Sequence, residues 1–201
     1  PWSSFVASVR GALSAQAATR GAGLRILTEA SSSPTIDAQL QEVVARYPEA
    51  RVHVWDPSSR DAAYVGAQQA FGQIVEAQYR VAQADIILAL DSDFLSSGPG
   101  SLRYAREFAR RRRPEDADRM NRLYAAEAMP SPTGSRADHR LALKPSEVET
   151  LARAVAAAVG VPGVGAAGAF SGRAAEVSSR WVAGVAKDLL EHKGTSLVVA
   201  G

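Results

Sequence analysis

Asp91 and Asp93 stand two residues apart, directly after the apolar run Ile86–Leu90. Two carboxylates at the carboxyl end of a strand can bind a metal ion, or hold a ribose or amino group of a ligand. They can equally cap the following turn by accepting backbone N–H groups. The spacing puts both side chains on one side only if the strand continues through them. Next comes Ser96-Ser97-Gly98-Pro99-Gly100-Ser101, leading into a helix whose N-terminus can hold an anion. That loop has neither the lysine of a P-loop nor the third glycine of a dinucleotide fingerprint.

Other chemistries find less support. His53, His139 and His192 are scattered over a strand, a loop and a helix end, so a zinc or catalytic cluster is not expected. Asp138-His139 is an acid–base neighbour pair, but adjacency in sequence does not orient the two groups toward each other. The chain has no cysteine, which excludes disulfides, Cys-based zinc sites and an iron–sulfur cluster held by these residues. No Gly-x-Ser-x-Gly elbow occurs. Arg110–Arg113 is the one dense basic run; it can touch phosphate, or be the solvated last turn of a helix. With no second basic patch or aromatic interleaving, the solvated turn is expected, and nucleic acid is not expected as a partner. On that reading Arg111→Ala changes stability by less than about 0.5 kcal/mol.

The elements that position these residues alternate between helix and strand. Helices are expected at Ser3–Ala18, from Pro34 to about Tyr47, from Asp61 to Tyr79 with interruptions near Gly66 and Gly72, and from Ser101 to about Arg112. Two more follow, from Pro145 to Val159 and from Ala174 to His192. Strands are expected at Leu24–Thr28, Val52–Trp55, Asp85–Leu90, Asn121–Ala126 and Ser196–Ala200, with a brief edge strand around Leu141 and Leu143. Met129–Asp138 reads as irregular and Gly160–Gly172 as a flexible linker. The apolar continuity of the strand Asp85–Leu90, unbroken from Ile86, marks a central parallel strand covered on both faces. The fold class is therefore α/β: three layers, a mostly parallel, Rossmann-like sheet of about five strands, and helices on both faces. Ligands in such sheets sit beyond the carboxyl ends of the strands, here Glu29–Ser33, Asp56–Arg60, Asp91–Gly100 and Glu127–Thr133.

The 201 residues, 46% hydrophobic and 22% charged, suit one soluble globular domain able to bury its own core. The core is expected over 20–143, with C-terminal helices and a closing strand over 145–201. Net charge is +2, and arginine outnumbers lysine 20 to 3. No apolar run is long enough to span a bilayer. A chain that opens on Pro1 and closes on a strand reads as a piece excised from a longer one.

Several stretches, in order along the chain, resemble one family. Ala84–Leu95 is similar to the central strand of molybdopterin oxidoreductases. The resemblance is strongest to a divergent branch, the molybdoenzyme-like large iron–sulfur subunit of alternative complex III. Gly23–Glu29, Ser97–Arg106, Met120–Tyr124 and Glu127–Arg140 resemble the same branch, so the similarity covers roughly residues 3–201. The resemblance implies a middle α/β domain of a larger, membrane-attached respiratory subunit that passes electrons from quinol to a cytochrome or oxidase. Members often carry a variant twin-arginine export signal, which implies the periplasmic face of the bacterial cytoplasmic membrane. Partners would be the rest of its own chain and other subunits of the complex, with iron–sulfur clusters carried elsewhere in the chain.

In catalytic members an Arg-Pro-Gly-Thr-Asp signature lies near a pterin guanine dinucleotide. Here it would fall at Lys144-Pro145-Ser146-Glu147, where glycine, threonine and aspartate are missing. The expectation is a scaffold domain without catalytic residues, cofactor or metal of its own. The alternative is a catalytic-type domain that binds a molybdopterin guanine dinucleotide through Asp56, Asp91, Asp93, Ser97 and Gly98, if the dinucleotide crevice is retained. A free-standing nucleotide-binding module is a third reading.

Overall fold

Five consecutive apolar side chains at Ile86–Leu90 form β3, and all five are buried. A strand apolar on both sides needs cover on both faces, and parallel neighbours supply its ladder. In the computed structural model, which describes residues 1–57, 60–164 and 173–201, the chain forms two compact units, Pro1–Val75 and Glu76–Gly201. Residues 116–118 and 173–177 are described by their backbone alone. The expected linker from residue 165 onward, and Ser58 and Ser59 of the loop after Trp55, lie outside the described residues.

The first unit holds α1 (Trp2–Ala15), β1 (Arg25–Thr28), α2 (Pro34–Arg46), β2 (Arg51–Val54) and α3 (Asp61–Phe71). β1 and β2 pair in parallel, with Arg25 opposite Arg51 and Thr28 opposite Val54. Pro34 opens α2, and the Ser33 hydroxyl accepts the Ile36 N–H, a cap the Ser-Pro pair favours. The helix expected to reach Tyr79 instead stops at Phe71. Gly72 takes a left-handed conformation (φ +71°) and donates its N–H to the Gln68 carbonyl, the usual glycine stop.

The second unit holds β3, α4 (Ser101–Arg110), β4 (Arg122–Glu127), α5 (Pro132–Ser135), β5 (His139–Ala142), α6 (Val148–Ala158), α7 (Arg173–Glu191) and β6 (Ser196–Ala200). The sheet order is β5-β4-β3-β6, all parallel. The mostly parallel α/β architecture is thus present, with its six strands divided four and two between two sheets. Alternation along β3 builds both sides of the core. Ile87 and Ala89 pack with Leu123, Ala125, Val199 and, from α4, Tyr104 and Phe108. Ile86, Leu88 and Leu90 pack on the opposite face with Tyr124, Leu141, Leu151 and Val155 of α6, and Val185 of α7. The stretch read as irregular before β5 contains α5, which the Ser131 hydroxyl caps by accepting the Gly134 N–H.

Ile87 has no exposed surface. Ile87→Asp places a carboxylate there without a partner, which buried charge does not tolerate. The variant is expected to lose the cooperative thermal transition of the second unit, followed by circular dichroism. A melting profile like that of the parent would show that β3 is not the central strand.

Candidate functional site

The carboxyl end of the four-stranded sheet is where a doubly wound fold would place a ligand, at the point where the strand order reverses. That point lies between β3 and β6, because the chain runs from β3 outward through β4 and β5 and returns to β6. Four of the five candidate residues, Asp91, Asp93, Ser97 and Gly98, follow β3 at this end. Asp91 sits in the left-handed region (φ +49°), and its carboxylate accepts the Ala128 N–H at 3.1 Å. Asp93 Oδ1 accepts both the N–H and the hydroxyl of Thr133, at 3.0 and 2.7 Å, and Oδ2 accepts the Ser96 hydroxyl. Thr133 is fully buried, and its Oγ1 accepts the Leu95 N–H. Exposed Ser97 donates its N–H and hydroxyl to the Asp93 carbonyl of the same loop. Gly98 is exposed, with φ +79°.

Across the switch point the chain meets itself. Gly201 donates its N–H to the Leu90 carbonyl, and a Cβ on Gly201 would lie 2.1 Å from the Asp91 carbonyl oxygen. The glycine that permits close approach here admits main chain rather than a ligand. One strand over, Glu127 is buried and bound by Arg140 at 2.5 Å and by the Ser131 hydroxyl at 2.6 Å. Burial alone would raise its carboxyl, but these partners outweigh it and hold Glu127 below the ordinary range. Gly134 closes over that carboxylate, with no room for a side chain. Asp56 belongs to the first unit, where its carboxylate accepts the Ala30 N–H at 3.2 Å. Each of the three aspartates therefore ties a backbone N–H of its own unit.

The amino end of the sheet carries the arginine run, and here the expectation of a solvated turn fails. Arg111 donates to the Ala84 and Arg119 carbonyls at 2.9 and 2.7 Å and pairs with Asp85 at 2.6 Å. That pairing is the main reason the Asp85 carboxyl is held low. Arg112 donates to the Asn121 side-chain oxygen, grips both oxygens of Asp138 at 2.9 and 2.5 Å, and lies 4.7 Å over the Phe108 ring. Asp138 also accepts the Leu123 N–H. Burial pushes its carboxyl up, and Arg112 and Leu123 more than reverse that. The His139 ring stacks instead on Tyr124, at 4.7 Å between centroids. Asp188 forms a further buried node, bound by Arg122 at 2.5 Å and the Tyr124 hydroxyl at 2.7 Å. Burial raises the Asp188 carboxyl, and those two bonds carry it below its usual range. Burial first, and then Asp188, push Tyr124 up to about 12.

Sequence reasoning placed Glu127 and Thr133 at a strand's carboxyl end without finding their partners, and missed Asp188 and the role of Arg112. The Ser131-Pro132 pair marked a helix start, and nothing local marked the others. Among the described residues, no group of three or more His, Asp or Glu side chains is placed to hold a metal ion. No described helix is long and apolar enough to cross a membrane. No family model matches the chain, and no curated protein matches it.

Arg112→Ala strips the donors from a partly buried carboxylate and from Asn121, and is expected to cost about 1–3 kcal/mol in urea unfolding. Arg111→Ala is expected to fall in the same range, whereas exposed Arg113→Ala stays within about 0.5 kcal/mol. Equal effects of Arg112→Ala and Arg113→Ala would contradict the stapling role.

The shifted groups also set the pH dependence. Asp85, Glu127, Asp138 and Asp188 titrate lower when folded, so each adds stability above its unfolded pKa of about 4 and loses it as pH falls through the folded value. Tyr124 titrates higher when folded, so its contribution is full below about 10 and is lost toward about 12. The melting temperature is expected to be flat from about pH 5 to 9 and to fall on both sides, with the alkaline fall reduced in Tyr124→Phe. A melting temperature that rises from pH 5 toward pH 3 would reverse the sign.

Proposed function

We propose that this chain is a non-catalytic scaffold domain of the molybdopterin-oxidoreductase-like kind. It belongs to the large subunit of a membrane-attached respiratory complex of the alternative complex III type, which passes electrons from quinol to a cytochrome or oxidase. The observation that carries this reading is the state of the carboxyl end of the sheet. Asp91 and Asp93 hold the loops of their own domain, and Gly201 packs against the Asp91 main chain, where a doubly wound fold would seat a nucleotide.

A second observation supports it. Lys144-Pro145-Ser146-Glu147, in the place of the dinucleotide signature, forms a tight turn into α6. The Glu147 carboxylate accepts the Lys144 N–H at 3.1 Å. A side chain that closes the turn on itself does not offer an open backbone to a pyrophosphate. That closed turn supports the reading of a domain with no cofactor of its own. Iron–sulfur clusters and electron transfer belong to other parts of the chain, at the periplasmic face of the membrane. This domain packs against those parts and against neighbouring subunits.

The test is the metal and pterin content of the full-length protein purified from its host. Molybdenum and pterin at background level, in protein that retains its iron, are expected. Stoichiometric molybdenum would overturn the scaffold reading and favour the catalytic-type domain.

A further inference from the structure

A cleft of about 680 Å³ lies at the amino end of the four-stranded sheet, opposite the end where ligands of such folds bind. Its walls are Ala82 and the start of β3, the end of α4, Arg119 and Met120 before β4, Arg122 at the start of β4, and His192 just after α7. The charged side chains on it are Asp85, Arg110, Arg111, Arg119 and Arg122, with His192 beside them. Two of the arginines are neutralised in place, Arg111 by Asp85 and Arg122 by Asp188. Arg110 and Arg119 are exposed, and among the described residues neither side chain has a hydrogen-bond or ion-pair partner.

We infer that this cleft is a docking surface for an acidic segment of a partner protein. The argument is charge complementarity on a fixed frame. The carboxyl ends of α4 and α7 bring about half a negative charge each, which the two unpaired guanidiniums exceed. Arg111 is locked by two main-chain carbonyls and a carboxylate, so the floor between the free arginines is rigid before anything binds. The two unpartnered cations stand on separate elements, Arg110 at the end of α4 and Arg119 at the end of the Pro114–Arg119 turn. A ligand with several spaced carboxylates matches that layout better than a single phosphate does. Half-exposed Met120 gives the cleft an apolar patch, and methionine and arginine are both enriched where proteins meet. Among the described residues, no Phe, Tyr or Trp ring lines the cleft as a base-stacking platform, which favours a peptide over a nucleic acid. The inference does not depend on the redox reading, since it uses none of the groups at the carboxyl end.

The test measures fluorescence anisotropy of a labelled peptide of Glu-Glu-Leu repeats with the 201-residue chain, beside a labelled oligothymidine of equal charge. Saturable peptide binding in the micromolar range is expected, weakened at least about tenfold in R110E/R119E and to a smaller degree in R110Q/R119Q. Both substituted side chains are free of partners, so the melting temperature should stay at the parent value. The double variant R106E/R153E removes the same charge outside the cleft and should bind as the parent does. Three results would each overturn the inference: no saturation by about 1 mM peptide, equal weakening by the control variant, or tighter binding of the oligothymidine with the same arginine dependence.

Discussion

Everything in the second unit answers to the burial of β3 on both faces. Backbone groups beside that core, such as those of Ala84 and Thr133, need hydrogen-bond partners once they are buried. The two ends meet this demand with opposite charges. Loops leaving the sheet present N–H groups, those of Ala128 and Thr133, and Asp91 and Asp93 accept them. Segments entering it present carbonyls, those of Ala84 and Arg119, and Arg111 donates to them. Both faces and both ends of β3 are thus fixed by groups of this unit.

This constraint explains which parts of the molecule were legible in the sequence. The six strands were readable because apolar runs and their punctuation are local signals. Residue types at the carboxyl end of β3 were readable too, since Asp91 and Asp93 stand out by composition. What they do was not readable, because the deciding partner of Asp93 is Thr133, forty residues away. The arginine run misled for the same reason. Sequence shows four adjacent cations at a helix end, and the bland expectation is a solvated turn. Arg112 instead reaches Asp138, 26 residues on, and Arg111 reaches back to Asp85. Charge is legible along a chain, and pairing is a property of topology.

The first unit shows the contrast. Two parallel strands make a marginal sheet, and parallel strands are stable when both faces are covered. Tyr47 and Ala50 are the buried apolar side chains among its described residues, while Leu27 is 72% exposed and Trp55 64%. Little apolar surface leaves water there, so local opening of β1 and β2 costs less than opening of β3 and β4. Amide exchange should therefore grade from fast in Arg25–Thr28 to slow in Ile86–Leu90.

A carboxylate is useful to a reaction when it can gain or lose a proton, or give up its present partner to a ligand. At the carboxyl end of this sheet the acids already have partners within their own unit. Asp93 is held by Thr133 and Ser96, and Glu127 by Arg140 and Ser131 under a glycine lid. Releasing Asp93 to a ligand would leave the N–H of fully buried Thr133 without an acceptor, a loss of about 1–3 kcal/mol before any binding begins. The same bonds that engage the carboxylates make the loops rigid, while the unpartnered Arg110 and Arg119 lie at the other end of the sheet.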